Sequence, residues 1–148
     1  MKRSIGLLIV AGLMVALKPE VVGAAGVAGS PLDGTWKWTW TRAELLKHDC
    51  TTPPDASKLA GSYVATFANG RVTGHSLTTG RANPGGSASF AVHGNVVSFV
   101  FSSRGPGIVP GRTYQLKWSI YRDRLRFSEL PGRSVLTCIT IKPLMRVR

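Results

Sequence analysis

Hydrophobic and polar side chains alternate over most of the chain beyond residue 34. In residues 35–41 the tryptophans Trp36, Trp38 and Trp40 take every second position, and threonine or lysine stands between them. Successive side chains of a strand point to opposite faces, so this segment predicts a strand with one buried, aromatic face. The same alternation predicts seven more strands, at residues 62–67, 71–76, 87–92, 96–103, 113–121, 124–129 and 134–142.

Short turns join many of these segments. Asn69-Gly70 is a favoured hairpin turn because both residues accept a positive φ, and residues 93–95 and Arg122-Asp123 separate two further pairs of strands. No long helical period interrupts the series, which excludes parallel crossovers. We therefore expect an all-β fold, an eight-stranded antiparallel up-and-down β-barrel. A two-sheet sandwich is the alternative, but sandwiches usually need long crossing connections.

A short helix is predicted directly after the first strand. Thr41 and Glu44 have the spacing of a capping box, which indicates a helix over residues 42–48. Three stretches rich in glycine, proline, threonine or asparagine are predicted as loops, at residues 49–58, 77–86 and 104–111.

The first 28 residues have a different pattern. Lys2 and Arg3 precede an apolar run over residues 5–17, and Lys18-Pro19 ends it well short of the roughly 20 residues that a spanning helix needs. This order predicts a secretory signal peptide over residues 1–28, cut after Ala25 or Ala28. An uncleaved amphipathic anchor is the alternative. Cleavage would leave one domain, residues 29–148, with no transmembrane segment, which we expect to be a secreted or periplasmic monomer.

The charge and the cysteine content indicate the kind of partner and the compartment of the protein. The chain has 19 Lys and Arg against 7 Asp and Glu, a formal net charge of +12, which favours anionic partners. Its two cysteines, Cys50 and Cys138, predict a disulfide in an exported protein, with two free buried thiols as the alternative. Two distant cysteines without a close histidine do not make a metal site.

The sequence predicts no catalytic residues. The histidines His48, His75 and His93 have no carboxylate near them at a triad or metal-ligand spacing. The acidic residues fall mostly in predicted loops, turns or a cap, so a pair of catalytic carboxylates would require coincidence. We therefore expect a protein that is not an enzyme and that needs no cofactor or metal.

Aromatic side chains on the inward faces of the strands are the first candidates for function. An interior lined by them would offer flat apolar surfaces with a few N–H and O–H groups, which suits a small hydrophobic or aromatic ligand. The alternative is that these side chains only fill the core. The predicted ligand-lining residues are Trp38, Trp40, Tyr63, Phe67, Phe99, Leu116 and Trp118.

A basic outer surface is the second candidate. Arg122, Arg124 and Arg126 alternate around one hairpin, and Arg133, Arg146 and Arg148 lie on nearby segments. Such a patch would suit an anionic cell-envelope polymer or lipid, whereas we do not expect nucleic acid as the partner. Ordinary solvation of a charged face is the alternative.

The stretch Gly34-Thr35-Trp36 resembles the Gly-x-Trp signature of lipocalins and their calycin relatives. Later pieces keep the order found in small secreted lipocalin-like proteins of bacteria: Thr41-Arg42-Ala43-Glu44-Leu45, Phe67-Ala68-Asn69-Gly70, Leu116-Lys117-Trp118-Ser119 and Lys142-Pro143-Leu144-Met145-Arg146. The likeness covers nearly all of the chain after residue 28.

This resemblance implies how the barrel is closed and what it does. In lipocalins the tryptophan of the signature closes one end of the barrel beneath a basic side chain, a cation over an aromatic face. Here it implies closure by Gly34, Trp36 and Arg146, with Arg148 or Lys142 as alternatives to Arg146. It also implies that the barrel interior binds a small hydrophobic ligand.

Overall fold

The computed structural model describes residues 29–132 and 137–148. The predicted signal peptide and Arg133 lie outside these residues. Within them the strands are β1 Gly34–Trp40, β2 Gly61–Ala68, β3 Arg71–Ser76, β4 Ala88–His93, β5 Val96–Phe101, β6 Thr113–Tyr121, β7 Arg124–Glu129 and β8 Leu144–Arg146. The helices are α1 Arg42–Lys47, α2 Pro53–Leu59 and α3 Thr137–Thr140.

The sheet closes on itself. Each strand pairs with its sequence neighbours, and β8 also pairs with β1, so the strand order around the barrel is the order along the chain. All eight pairings are antiparallel. At the seam Trp36 lies opposite Arg146 and Lys37 opposite Met145. The prediction of an eight-stranded antiparallel up-and-down barrel is confirmed.

The two ends of the barrel differ in their connections. Two-residue turns at residues 69–70, 94–95 and 122–123 lie at one end, here called the closed end. Asn69, Gly70, Arg122 and Asp123 all have positive φ angles, as tight hairpins of this twist require. The longer connections lie at the other end, called the open end, and their described residues are 41–60, 77–87, 102–112, 130–132 and 137–143. Among the described residues, the long connections between strands that could cover or line a site are therefore at the open end.

Aromatic rings fill the centre of the barrel. Phe67, Phe90 and Phe127 surround Phe99, with ring centroids 6.2, 6.4 and 5.8 Å from it. Edge-to-face and tilted contacts of this kind suit the ring quadrupoles and add to the burial of apolar surface.

The helix after the first strand is confirmed. The backbone N–H of Glu44 donates to the Thr41 hydroxyl at 3.2 Å, and the backbone N–H of Thr41 donates to the Glu44 carboxylate at 2.8 Å. These reciprocal bonds form a capping box at the start of α1, and Leu45 anchors the helix to the core.

A second helix lies where a loop was predicted. Residues 53–59 form α2, so the prediction of a loop over residues 49–58 is wrong in its second half. Pro53 and Pro54 occupy the first helical turn, where proline fits because its fixed φ is helical and its missing N–H would have no partner there. Ala56 is buried beneath the helix.

The last strand differs from its predicted position. Thr137–Thr140 form α3, and β8 begins only at Leu144, although a strand was predicted over residues 134–142. Pro143 cannot donate a ladder hydrogen bond, which fits a strand that starts after it. Leu144 is buried and continues the inward face.

A disulfide between Cys50 and Cys138 is present, as predicted. It joins the segment between α1 and α2 to α3, and its two cysteines are 88 residues apart in sequence. The bond therefore fastens two of the four long connections of the open end to each other. Among the described residues, no helix has the length and hydrophobicity needed to cross a bilayer.

Candidate functional site

The closed end brings together Gly34, Trp36 and Arg146. The Arg146 guanidinium carbon lies 4.3 Å from the ring centroid of Trp36, and its Nη1 donates to the Asp33 carbonyl at 3.1 Å. Trp36 is fully buried, and its indole N–H donates to the Leu32 carbonyl at 2.8 Å. At Gly34 a Cβ atom would stand 2.7 Å from Arg146 Nη1, so glycine leaves room for the cation.

The other two basic side chains that were candidates for covering Trp36 have different partners. Arg148 binds the carboxylate of Asp123, in the turn between β6 and β7. Lys142 binds Glu44, with 2.6 Å between Nζ and Oε1. Arg146 is therefore the side chain that covers Trp36, and it closes this end with an ordered stack of cation and indole.

A cavity of about 90 Å³ lies at the open end. Its wall is built from inward side chains of the strands and from the open-end connections, including α2 and α3. The lining residues are Trp38, Trp40, Leu59, Ala65, Phe67, Val72, Gly74, Asn83, Pro84, Gly86, Phe99, Phe101, Pro106, Ile108, Cys138, Ile139 and Leu144. Cavities of about 150 Å³ hold a benzene molecule, so this one accepts a ring only if part of its wall moves.

Four of the predicted lining residues border the cavity: Trp38, Trp40, Phe67 and Phe99. The rings of Trp38 and Trp40 meet nearly edge to face, with centroids 5.7 Å apart. Both follow Trp36 on the inward face of β1, so the alternation seen in the sequence carries the indoles from the closed end to the open end.

The other three predicted lining residues lie elsewhere in the interior. Tyr63 stacks on Trp38 at 5.6 Å and donates its hydroxyl to the Leu59 carbonyl at 2.6 Å, behind the wall. Burial raises the pKa of Tyr63, which keeps the phenol neutral. Leu116 is buried in the core, and Trp118 lies opposite Phe127, towards the closed end.

Much of the cavity wall comes from residues that the sequence analysis did not select. Leu59 lies on α2, Ile108 in the connection between β5 and β6, and Ile139 on α3. The segments of Leu59 and Ile108 have no strand periodicity. Ile139 lies in a stretch that alternation assigned to a strand but that forms α3, so its place on the wall was not predicted either. The up-and-down topology does indicate which connections can contribute to the wall, because it places every second connection at the same end of the barrel.

Two residues of the cavity wall each have a buried polar atom without a hydrogen-bond partner in the described structure. Trp38 Nε1 and Asn83 Oδ1 are both buried and make no hydrogen bond. Asn83 is fixed by its Nδ2, which donates to the Val64 carbonyl at 2.9 Å. A Cβ on Gly74 would lie 2.4 Å from that Nδ2, so glycine makes this position of Asn83 possible. A buried donor and a buried acceptor thus remain unsatisfied at an otherwise apolar site.

The predicted basic residues do not form one group. Arg124 and Arg126 are exposed on the outer face of β7, and the guanidinium carbon of Arg122 lies 5.3 Å from the Tyr121 ring centroid. Arg146 and Arg148 are occupied at Trp36 and Asp123. Of the predicted basic residues that the structure describes, the hairpin arginines Arg122, Arg124 and Arg126 are therefore the ones without a carboxylate partner.

The histidines are dispersed over the surface. His48 follows α1, His75 is exposed on β3, and His93 is exposed at the end of β4. Within the part of the chain that the structure describes, no three His, Cys, Asp or Glu side chains group as metal ligands would.

The Lys142–Glu44 pair makes the stability of the fold depend on pH. Hydrogen bonds from Lys142 and from the Thr41 backbone lower the pKa of Glu44 from 4.5 to about 2. The carboxylate therefore stabilises the fold above pH 4.5, and this contribution is lost as the pH falls towards 2. Because the pair is partly exposed, we expect Glu44→Gln to cost about 0.5–1 kcal/mol of unfolding free energy at neutral pH.

Urea denaturation of both proteins between pH 7 and pH 2 would measure this difference. The two curves should approach each other as the pH falls to 2, where about half of the wild-type Glu44 carboxylate is protonated in the folded state. Asp55→Asn, which removes the exposed partner of Lys58, is the control and should have a smaller effect. If the difference in unfolding free energy between wild type and Glu44→Gln stayed constant across this pH range, the lowered pKa of Glu44 would be contradicted.

The fold and the cavity together define a closed antiparallel barrel with an aromatic site at one end. Comparison of the chain with known protein families, with curated proteins and with solved structures finds no match. What this barrel binds is therefore inferred from the geometry of its site.

Proposed function

We propose that this protein is a lipocalin-like carrier that binds a small hydrophobic or aromatic ligand in the open-end cavity. The observation that carries the proposal is the cavity itself, with a wall built mainly of aromatic and aliphatic side chains. Sites for small apolar ligands have this composition, in which a few polar groups orient a molecule held mainly by apolar contact.

The closed end supports the same proposal. Trp36 beneath Arg146, beside Gly34, has the arrangement that the lipocalin resemblance implies. Closure at this end leaves the other end of the interior free to accept a molecule, since a barrel of eight strands has room for side chains and one small ligand.

The mechanism we propose is burial of the ligand against Trp38, Trp40 and Phe99. In this proposal a ligand that accepts one hydrogen bond and donates another would pair with Trp38 Nε1 and Asn83 Oδ1 once movement of the wall exposes these two buried atoms. Since the cavity is smaller than one that holds benzene, we propose that binding moves the segment from α1 to α2, with Leu59 leaving the wall. The proposal includes no covalent step.

The proposal is tested by a substitution that places a larger side chain inside the cavity. Ala65 lies on its wall and is buried, so Ala65→Leu should occupy the volume that a ligand needs. Quenching of tryptophan fluorescence would be titrated with fatty acids, retinoids and flat aromatic compounds. We expect at least one of these classes to quench the wild-type protein and to bind about tenfold more weakly to Ala65→Leu.

The matched control is Ala91→Leu, on the exposed outer face of β4, which adds the same atoms away from the cavity. It should bind as the wild type does. Ile108→Ala enlarges the cavity and should strengthen binding of the bulkier compounds. If no class of compound quenches the wild type, or if Ala65→Leu and Ala91→Leu bind equally, the carrier function is rejected.

A further inference from the structure

A continuous row of outward side chains crosses four strands near the closed end. Tyr121 on β6 lies opposite Arg124 on β7, Arg124 lies opposite Met145 on β8, and Met145 lies opposite Lys37 on β1. Side chains at opposed positions of neighbouring strands share a face, with Cβ atoms about 4.5–5.5 Å apart. These four side chains are therefore neighbours on the outside of the barrel.

Three more side chains extend this row. Arg122 lies against the Tyr121 ring, and Arg126 is two positions after Arg124 on the same face of β7. Val147 follows β8, and its backbone N–H donates to the Thr35 carbonyl at 2.8 Å, which continues the seam with β1. We call these seven residues, Lys37, Tyr121, Arg122, Arg124, Arg126, Met145 and Val147, the closed-end patch.

The closed-end patch exposes apolar surface. The fractional exposure is 69% for Tyr121, 41% for Val147 and 37% for Met145. The other large hydrophobic side chains exposed in the described residues, Leu77 and Val109, lie in open-end connections. Single exposed apolar residues are normal, whereas a group of three on one face indicates contact with another surface.

The charge of the closed-end patch is positive and largely uncompensated. No carboxylate in the described residues forms an ion pair with Lys37, Arg124 or Arg126. The nearby carboxylate of Asp123 binds Arg148, which lowers its pKa and keeps it ionised. Glu129 lies at the other end of β7. The face therefore attracts anions, and the side-chain carboxylate of Asp123 beside it is paired with Arg148.

Cations that surround an exposed tyrosine and two aliphatic side chains fit the interface of an anionic bilayer. Tyrosine favours the headgroup level, where its ring is apolar and its hydroxyl is hydrated, and the aliphatic side chains enter beside it. Each Lys or Arg near an anionic leaflet contributes roughly 1 kcal/mol of attraction. A soluble polyanion would engage the cations but would leave the apolar side chains in water.

We propose that the closed-end patch docks the barrel onto a membrane rich in anionic phospholipid. Arg122, Arg124, Arg126 and Lys37 bind the phosphate groups, and Tyr121, Met145 and Val147 enter the headgroup region. The cavity is at the opposite end of the barrel, so its mouth remains in water when the patch is docked. This inference goes beyond ligand carriage, because the docking face shares no residue with the cavity wall.

Sedimentation with vesicles tests the proposal. The protein, as the producing cell processes it, would be mixed with vesicles of phosphatidylcholine alone or of phosphatidylcholine with phosphatidylglycerol. Wild type should bind the anionic vesicles and not the neutral ones. The variant Arg124→Gln with Arg126→Gln should bind about thirtyfold more weakly, which corresponds to the loss of two interfacial cations.

The matched control removes the same charge elsewhere. Arg71→Gln with Arg81→Gln alters exposed positions outside the closed-end patch and should retain most vesicle binding. Tyr121→Ser should weaken binding to anionic vesicles severalfold while retention on heparin stays unchanged, because heparin engages only the cations.

Three outcomes would overturn the proposal. The first is an absence of binding to anionic vesicles. The second is an equal loss of binding in the two arginine double variants, which would show a net-charge effect without a defined face. The third is vesicle binding that Tyr121→Ser leaves unchanged, which would assign the face to a soluble polyanion. Circular dichroism of each variant checks that the barrel is intact.

Discussion

Replacing Cys50 and Cys138 together by serine is expected to lower the free energy of unfolding by about 4–5 kcal/mol. The bridge links residues 88 positions apart. In the chain-entropy description, opening so long a loop increases the conformational entropy of the unfolded chain and so favours unfolding. Because whole small domains are stable by only about 5–15 kcal/mol, this variant should be close to the limit of folding.

Urea unfolding of wild type and of the double variant would measure this difference, and wild type in reducing buffer should match the variant. Cys138 also borders the cavity, so the variant should bind ligand more weakly under conditions where it is still folded. Thr51→Ser, between the first cysteine and α2, is the control and should leave stability nearly unchanged. A double variant as stable as wild type would show that the bridge does not constrain the open end.

Trp36→Ala is the second substitution with a large expected effect, a loss of about 3–5 kcal/mol. It removes a fully buried indole, and it leaves the Leu32 carbonyl without its donor and Arg146 without the ring beneath it. Trp36→Phe keeps a ring below the cation and should cost less, because it loses mainly the hydrogen bond and part of the packing.

Thermal unfolding followed by near-ultraviolet circular dichroism would rank these variants. Lys37→Ala, the next residue on β1 with its side chain exposed, is the control and should change stability by no more than about 0.5 kcal/mol. If Trp36→Ala were no more destabilised than Lys37→Ala, the closed end would not depend on the stack of indole and guanidinium.

The strands and the short turns could be predicted from sequence because their signals are local. Trp36, Trp38 and Trp40 alternate, and burial on one face of β1 follows directly. Asn69-Gly70 specifies a hairpin through its own backbone preferences. The capping box of Thr41 and Glu44 likewise requires only four residues.

The errors lie at the open end, where distant contacts decide the structure. Pro53-Pro54 is compatible with a loop and with a first helical turn, and burial of Ala56 fits the helical outcome. Residues 137–140 alternate well enough for a strand, yet they form α3 next to the bridge to Cys50. Such choices depend on partners far away in the chain, which a local pattern does not contain.

The cavity wall was predicted in part for the same reason. Trp38, Trp40, Phe67 and Phe99 lie on strands and could be selected by their alternation. Asn83 and Ile108 are in connections, and their place on the wall depends on how those connections fold over the barrel. The polar atoms that would orient a ligand are thus divided between β1, which the sequence predicts well, and a connection that it does not.

The seam between β1 and β8 has a consequence for the order in which the barrel folds. Its contacts join the beginning of the described chain to its end, and the hydrogen bond from Arg146 to Asp33 spans 113 residues. Contacts of such sequence separation form late, because much chain entropy is lost before they contribute. Until the last three-residue strand is in place, β1 and β7 have unpaired edges that are able to recruit other chains, so the protein is most vulnerable to aggregation just before closure.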